Sequence, residues 1–72
     1  MDYPKVKDFL YHVVTGTNVV IEDDITEGYV YYEGRLGNYF KSDVANENLT
    51  LIQSFIKDNV FHIKAIKNYE YR

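Results

Sequence analysis

The residues with catalytic or metal-binding potential are two histidines and one cluster of carboxylates. His12 and His62 lie far apart in the sequence, and neither has a second His, a Cys or a carboxylate spaced with it as a ligand set or a catalytic pair requires. We interpret His12 as a helix-face residue at the rim of the core and His62 as an exposed or cross-strand residue. The sequence therefore predicts no catalytic residue, and the protein is predicted not to be an enzyme.

The carboxylates Glu22, Asp23, Asp24 and Glu27 could in principle hold a hard cation such as calcium. They lack the D-x-D-x-D-G spacing with a distal Glu, and such ions require six to eight oxygen ligands around a looped backbone. We therefore predict no metal site. Two interpretations stay open for the cluster: an ordinary solvated turn, or an acidic patch that docks on a basic protein surface.

No cofactor site is predicted either. The glycine pair in residues 34–37, GRLG, lacks the lysine and the helix start of a phosphate-binding loop. The chain has no cysteine, so neither a thiolate metal site nor a disulfide can stabilise it. The hydrophobic core must stabilise the fold alone.

Length and composition indicate one small globular domain over residues 1–72. Of these residues 46% are hydrophobic, including eight Tyr and four Phe, which can bury large areas. No apolar run approaches the roughly 20 residues of a membrane span. The N-terminus lacks the basic-then-apolar pattern of a signal peptide. We predict a cytoplasmic protein that does not bind membranes.

The charge is distributed unevenly along the chain. Up to Gly34 seven acidic residues accompany two basic ones, whereas from Arg35 four acidic residues accompany six basic ones. The net charge is −3. An acidic front disfavours non-specific binding to nucleic acid, whose affinity comes largely from neutralised phosphates. It is compatible with docking on a basic protein.

Two segments have the apolar spacing of an amphipathic helix. In residues 4–14 the stripe is followed by Gly16 as a C-cap, with Asp2 as a possible N-cap. In residues 47–57 Leu49, Ile52, Phe55 and Ile56 form a second stripe. We predict a helix in each segment.

The remaining segments favour strands. Residues 17–22 and 29–32 are rich in β-branched or aromatic types, and residues 60–71 alternate. Residues 28–40 are predicted to form a hairpin, closed either at Glu33-Gly34 or at Gly37-Asn38. The last strand is longer than any neighbour, so its end is expected to overhang, fray or pair elsewhere.

Together these elements predict an α+β domain of order α-β-β-β-α-β. Its twisted, mainly antiparallel sheet has both helices packed on one face, because two helices cannot cover both faces of so small a sheet. We assign Val30 and Tyr32 to the covered face. Tyr29 and Tyr31, with Tyr39 and part of the last strand, are then expected on the open face.

The predicted function is that of a small non-enzymatic protein-binding module: a regulator, an adaptor or an inhibitor. Such small, acidic, cysteine-free chains resemble in type the accessory proteins of bacteriophages and mobile elements. A homodimer through the C-terminal strand is one form of this prediction. The alternative is a nucleic-acid-binding module that stacks bases on sheet tyrosines. The predicted protein-binding residues are Glu22, Asp23, Asp24, Glu27, Tyr29, Tyr31, Tyr39, Tyr69 and Tyr71.

Overall fold

The computed structural model describes residues 3–69, which form an α+β domain with two short helices and a four-stranded mixed sheet. The predicted α+β class is confirmed. In chain order the elements are α1 (Val6–Leu10), β1 (Asn18–Asp23), β2 (Val30–Arg35), α2 (Leu36–Phe40), a 3₁₀ turn (Asp43–Asn46), β3 (Leu49–Lys57) and β4 (Val60–Lys67).

The strands lie in the order β2-β1-β4-β3. β1 pairs with β2 and β3 pairs with β4 in antiparallel fashion, whereas β1 and β4 are parallel. The C-terminal strand therefore lies inside the sheet, paired on both sides. The prediction of an overhanging strand that could extend another sheet is wrong for residues 60–67, and the predicted Tyr71 lies outside the described residues.

Both helices pack on one face of the sheet, as predicted. The strands contribute alternate residues to a single core, among them Val19 and Ile21 from β1 and Ile63 and Ala65 from β4. Val6 and Leu10 of α1 and Leu36 and Tyr39 of α2 complete this core from above the sheet. Within residues 3–69, the opposite face carries no helix.

The first helix is shorter than predicted. Lys5 is extended and forms an isolated bridge with Thr50, so the helix begins at Val6. After Leu10 the α-helix gives way to a tighter turn, in which the N–H of Val13 donates to the carbonyl of Leu10, three residues earlier, at 3.0 Å. The β-branched residues Val13, Val14 and Thr15 disfavour further helix. Val14 is consequently 76% exposed rather than part of the buried stripe.

The second predicted helix is wrong, because residues 49–57 form strand β3. β3 is followed by a two-residue hairpin turn at Asp58 and Asn59, which have φ of 53° and 62°, and this turn leads directly into β4. The predicted hairpin in residues 28–40 is also wrong. β2 is the return strand of β1, and the residues after Arg35 form α2, so the second helix precedes the third strand.

No helix in residues 3–69 has the length and apolar character needed to cross a membrane.

Candidate functional site

The segment that joins β1 to β2 is the most exposed part of the first half of the chain. We call residues 24–30 the hairpin tip; all seven are exposed. Gly28 has φ of 84°, a backbone conformation that a side chain at this position would disfavour. Tyr29 donates its N–H to the carbonyl of Thr26 at 3.2 Å and closes the turn.

Asp23, the last residue of β1, organises the hairpin tip. Its Oδ2 accepts the backbone N–H groups of Ile25 at 3.1 Å and Thr26 at 2.5 Å, and its Oδ1 accepts the Tyr31 hydroxyl at 2.7 Å. The Tyr31 hydroxyl and the Thr26 N–H lower the pKa of Asp23 below its usual value. Burial and the same carboxylate raise the pKa of Tyr31 to about 12. Asp23 therefore stays charged and fixes the shape of the tip.

Two backbone hydrogen bonds attach the hairpin tip to the sheet. The N–H of Asp23 donates to the carbonyl of Tyr29, and the N–H of Asp24 donates to the carbonyl of Ala65 in β4, both at 2.8 Å. A loop that is held in this way presents its side chains in one arrangement, which lowers the ordering cost of binding a partner.

The acidic residues of the predicted site differ in their availability. Glu22 forms an ion pair with Lys64 across β1 and β4, at 2.6 Å. Asp24 and Glu27 are exposed and form no ion pair within residues 3–69. Glu22 raises the pKa of Lys64 above its usual value, and Asp24 and Glu27 add to this shift. The available negative charge of the tip is therefore that of Asp24 and Glu27.

Apolar side chains lie among these charges. Ile25 is 74% exposed, Tyr29 is 55% exposed and Val30 is 44% exposed. The Tyr29 ring meets the Tyr31 ring edge to face, with centroids 5.0 Å apart. Ile25 and Val30 are not among the residues predicted from the sequence. A signal for Ile25 was present, since a large aliphatic residue within an acidic turn has no core to enter.

The β-bulge in β2 explains why two side chains face the other way from the prediction. Ile21 is opposite Tyr32 but Glu22 is opposite Val30, so Tyr31 is the extra residue of the bulge. Tyr32 packs on the core as predicted, whereas Val30 lies on the open face and Tyr31 is half-buried against the core. The predicted pairing of Val30 with Tyr32 on one face is wrong.

The remaining predicted tyrosines do not join the tip. Tyr39 is 1% exposed, because it lies on α2 and packs edge to face on Tyr32 and Phe40; the prediction that it is exposed is wrong. Tyr69 is half-buried, and its ring meets the ring of Tyr3 at 5.9 Å. Six of the nine predicted residues are thus brought together, namely Glu22, Asp23, Asp24, Glu27, Tyr29 and Tyr31.

The open face of the sheet carries other groups than the predicted tyrosines. Phe55 of β3 and His62 of β4 lie side by side with parallel rings, 5.0 Å apart.

Within residues 3–69, no three His, Cys, Asp or Glu side chains are grouped closely enough to hold a metal ion. Comparison of the chain with protein-family models, curated proteins and solved structures gave no match.

Proposed function

We propose that this protein is a small non-enzymatic binding module that docks on a basic protein surface through its hairpin tip. The observation that carries the proposal is the arrangement of Ile25, Tyr29 and Val30. These exposed apolar side chains lie in a loop of fixed shape that also carries Asp24 and Glu27, two exposed carboxylates that form no ion pair within residues 3–69. Exposed aromatic and aliphatic side chains beside charged ones are typical of protein interfaces.

The residues of the tip have distinct proposed roles. Ile25 and Tyr29 are the anchors that enter a partner's pocket, since buried aromatic and aliphatic side chains at the centre of an interface carry most of its binding energy. Asp24 and Glu27 attract a basic surface and raise the rate of association, an effect that salt weakens. Asp23 and Tyr31 act indirectly, because they hold the loop.

This proposal covers a regulator, an adaptor or an inhibitor, each of which acts by covering a partner's surface. The phage-type origin and the cytoplasmic location stay predictions from the sequence. Nucleic-acid binding through sheet tyrosines has lost much of its support, because Tyr39 is buried and Tyr31 is half-buried.

The test is capture and then measurement. The tagged protein is incubated with a cytoplasmic extract of the organism that encodes it, and captured proteins are identified, purified and titrated. We expect a basic partner, and we expect the double substitution Ile25→Ser and Tyr29→Ser to raise its dissociation constant by about tenfold or more, since truncation of an anchor costs about 2 kcal/mol. Asp24→Asn with Glu27→Gln should lower the association rate and its salt dependence.

The matched control is Val14→Ser, which removes an equally exposed aliphatic side chain, 76% exposed, away from the tip. It should leave affinity unchanged. Equal affinity of the tip variant and the wild type would show that the partner binds elsewhere. Salt-dependent binding of short single- or double-stranded oligonucleotides would instead support the nucleic-acid alternative.

A further inference from the structure

The outer side of β3 is covered over only half of its length. At the N-terminal half, Lys5 is bridged to Thr50, and the N–H of Leu51 donates to the carbonyl of Pro4 at 2.8 Å. Beyond Leu51, no segment of residues 3–69 pairs with this side. Residues 53–57 are all exposed. We call residues 52–57 the free β3 edge.

The hairpin geometry determines which backbone groups of the free β3 edge face outward. Lys57 and Val60 close the two-residue turn, so their backbone groups face each other. Backbone groups alternate in direction along an antiparallel strand. Those of Phe55 and Gln53 therefore also face β4, whereas the N–H and C=O groups of Ser54 and Ile56 face away from the sheet. These are the groups that a further strand would bind.

The side chains of the free β3 edge do little to prevent such pairing. The segment IQSFIK has one charge, at its end, and no proline. Ile56 is 73% exposed and Phe55 is 38% exposed. Monomeric proteins usually protect an edge with charges, proline, a bulge or a covering segment. Pro4 and Lys5 cover the first half of β3, and the second half is left regular and largely uncharged.

We propose that the free β3 edge pairs with the same edge of a second copy of this chain, antiparallel and about a two-fold axis at Phe55. In an antiparallel pair, two opposed residues either both direct their backbone groups at the partner strand or both direct them away. Because backbone direction alternates along β3, a symmetric pairing must centre on one residue. A centre at Ser54 would place Lys57 opposite Leu51, whose N–H is already bound to Pro4. A centre at Ile56 would soon reach the hairpin turn. Only the centre at Phe55 uses the whole free edge.

This register is self-complementary in shape and charge. It places the two Phe55 rings opposite each other, and each already stacks on its own His62. Ile56 lies opposite the Ser54 of the second copy. Lys57, the one charged residue of the free β3 edge, lies opposite the second copy's Gln53, so the register places no like charges opposite each other. The product is a continuous eight-stranded sheet with all helices on one face.

The pairing leaves the hairpin tips accessible, since they join β1 to β2, away from β3. The dimer would present two tips at its two ends, which increases the avidity for a partner with repeated sites. The inference does not rest on the proposed function, because it concerns a different surface and only copies of this chain.

Single cysteines test the register, since the chain has no cysteine of its own. Phe55→Cys would bring two cysteines to a directly opposed pair with Cα atoms about 4.5–5.5 Å apart, a separation that a disulfide spans. In the matched control, Gln53→Cys, the new thiol would lie opposite Lys57 of the second copy. It would be roughly 13 Å along the strand from the same position of the second copy. We expect mild oxidation to cross-link the first variant and not the second.

Light scattering and sedimentation over a wide concentration range supply the second measurement. We expect a dimer for the wild type and a dimer dissociation constant raised by about tenfold or more for Phe55→Lys, which opposes two like charges at the axis. Circular dichroism should show that this exposed substitution leaves the fold intact. A wild type that stays monomeric, a Phe55→Lys variant that dimerises like the wild type, or equal cross-linking of the two cysteine variants would overturn the proposal.

Discussion

The two outer strands of this sheet, β2 and β3, are built in opposite ways. β2 contains a bulge at Tyr31, a glycine at position 34 with φ of 150°, and charges at Glu33 and Arg35. Each of these features disfavours the addition of another strand. β3 has its bulge next to Leu51, the last residue of this strand that pairs with the N-terminal segment within residues 3–69, and is regular from Gln53 to Lys57.

The side chains of the two strands differ as much as their backbones. Tyr32 of β2 packs on the core and Tyr31 is bound to Asp23, so the strand is attached to the domain by its rings. In the outer half of β3, Ile56 is 73% exposed, and Phe55 packs on His62 rather than on the core. An edge strand that is bulged and whose rings pack on its own domain is therefore protected from pairing, whereas a regular edge strand whose side chains lie outside the core is suited to association.

The largest effect should come from removing the core support of β2. Tyr39 is 1% exposed and lies beneath Tyr32, so Tyr39→Ala would leave a large cavity and cost about 3–5 kcal/mol of the free energy of unfolding. The matched substitution Phe55→Ala on β3 should cost about 1–2 kcal/mol, because Phe55 is 38% exposed and lies outside the core. Urea unfolding at low protein concentration measures both. Equal losses would mean that β2 and β3 are attached to the domain alike.

A smaller effect should follow from a side chain at Gly34. With φ of 150°, an alanine here adopts a strained backbone, and its Cβ would lie 3.0 Å from the Tyr32 hydroxyl, which donates to the Arg35 carbonyl. We expect Gly34→Ala to lower the free energy of unfolding by roughly 1–3 kcal/mol. The control is Gly16→Ala, which meets no atom within 4 Å and should change stability by about 0.5 kcal/mol or less. A neutral Gly34→Ala would show that the irregularity of β2 is not held by this residue.

The sequence was sufficient for the elements whose residue types and periodicity agree. Residues 17–22 and 29–32 are β-branched or aromatic, and the observed strands β1 and β2 lie within a few residues of the predictions. Grouping of the acidic residues with Tyr29 could also be foreseen, because they are close in the chain.

The sequence was misleading for residues 47–57 because of the bulge next to Leu51. Leu49 and Leu51 face the core, but the extra residue shifts the alternation, so that Ser54 and Ile56 follow on the same face. The resulting spacing of Leu49, Ile52, Phe55 and Ile56 imitates a helical stripe. The order of the strands in the sheet depends on pairing between residues far apart in the chain, and no local sequence pattern predicts this order.

The smallest effect concerns the hydrogen bond that attaches β2 to the hairpin tip. Tyr31→Phe removes the hydroxyl that Asp23 accepts at 2.7 Å and should lower the free energy of unfolding at neutral pH by about 1 kcal/mol. The comparable substitution on β3 is Ser54→Ala, whose hydroxyl forms no hydrogen bond within residues 3–69, and its effect should be close to zero.

The hydrogen bond between Tyr31 and Asp23 should also make stability depend on pH. The pKa of Tyr31 is raised to about 12, so between pH 10 and 12 the unfolded chain loses this proton while the folded chain keeps it, and stability falls as pH rises. The pKa of Asp23 is lowered, so its contribution is present above its ordinary pKa and is lost as pH falls below it. Tyr31→Phe should reduce the alkaline fall. The remaining fall is due to Tyr39, whose pKa burial also raises to about 12, and to Lys64 and Lys67, whose pKa values Glu22 and Glu47 raise. Urea unfolding across the alkaline range measures the slope; an unchanged slope in Tyr31→Phe would show that the Tyr31 hydroxyl is not held by Asp23 in the folded protein, and that β2 is attached by ring packing alone.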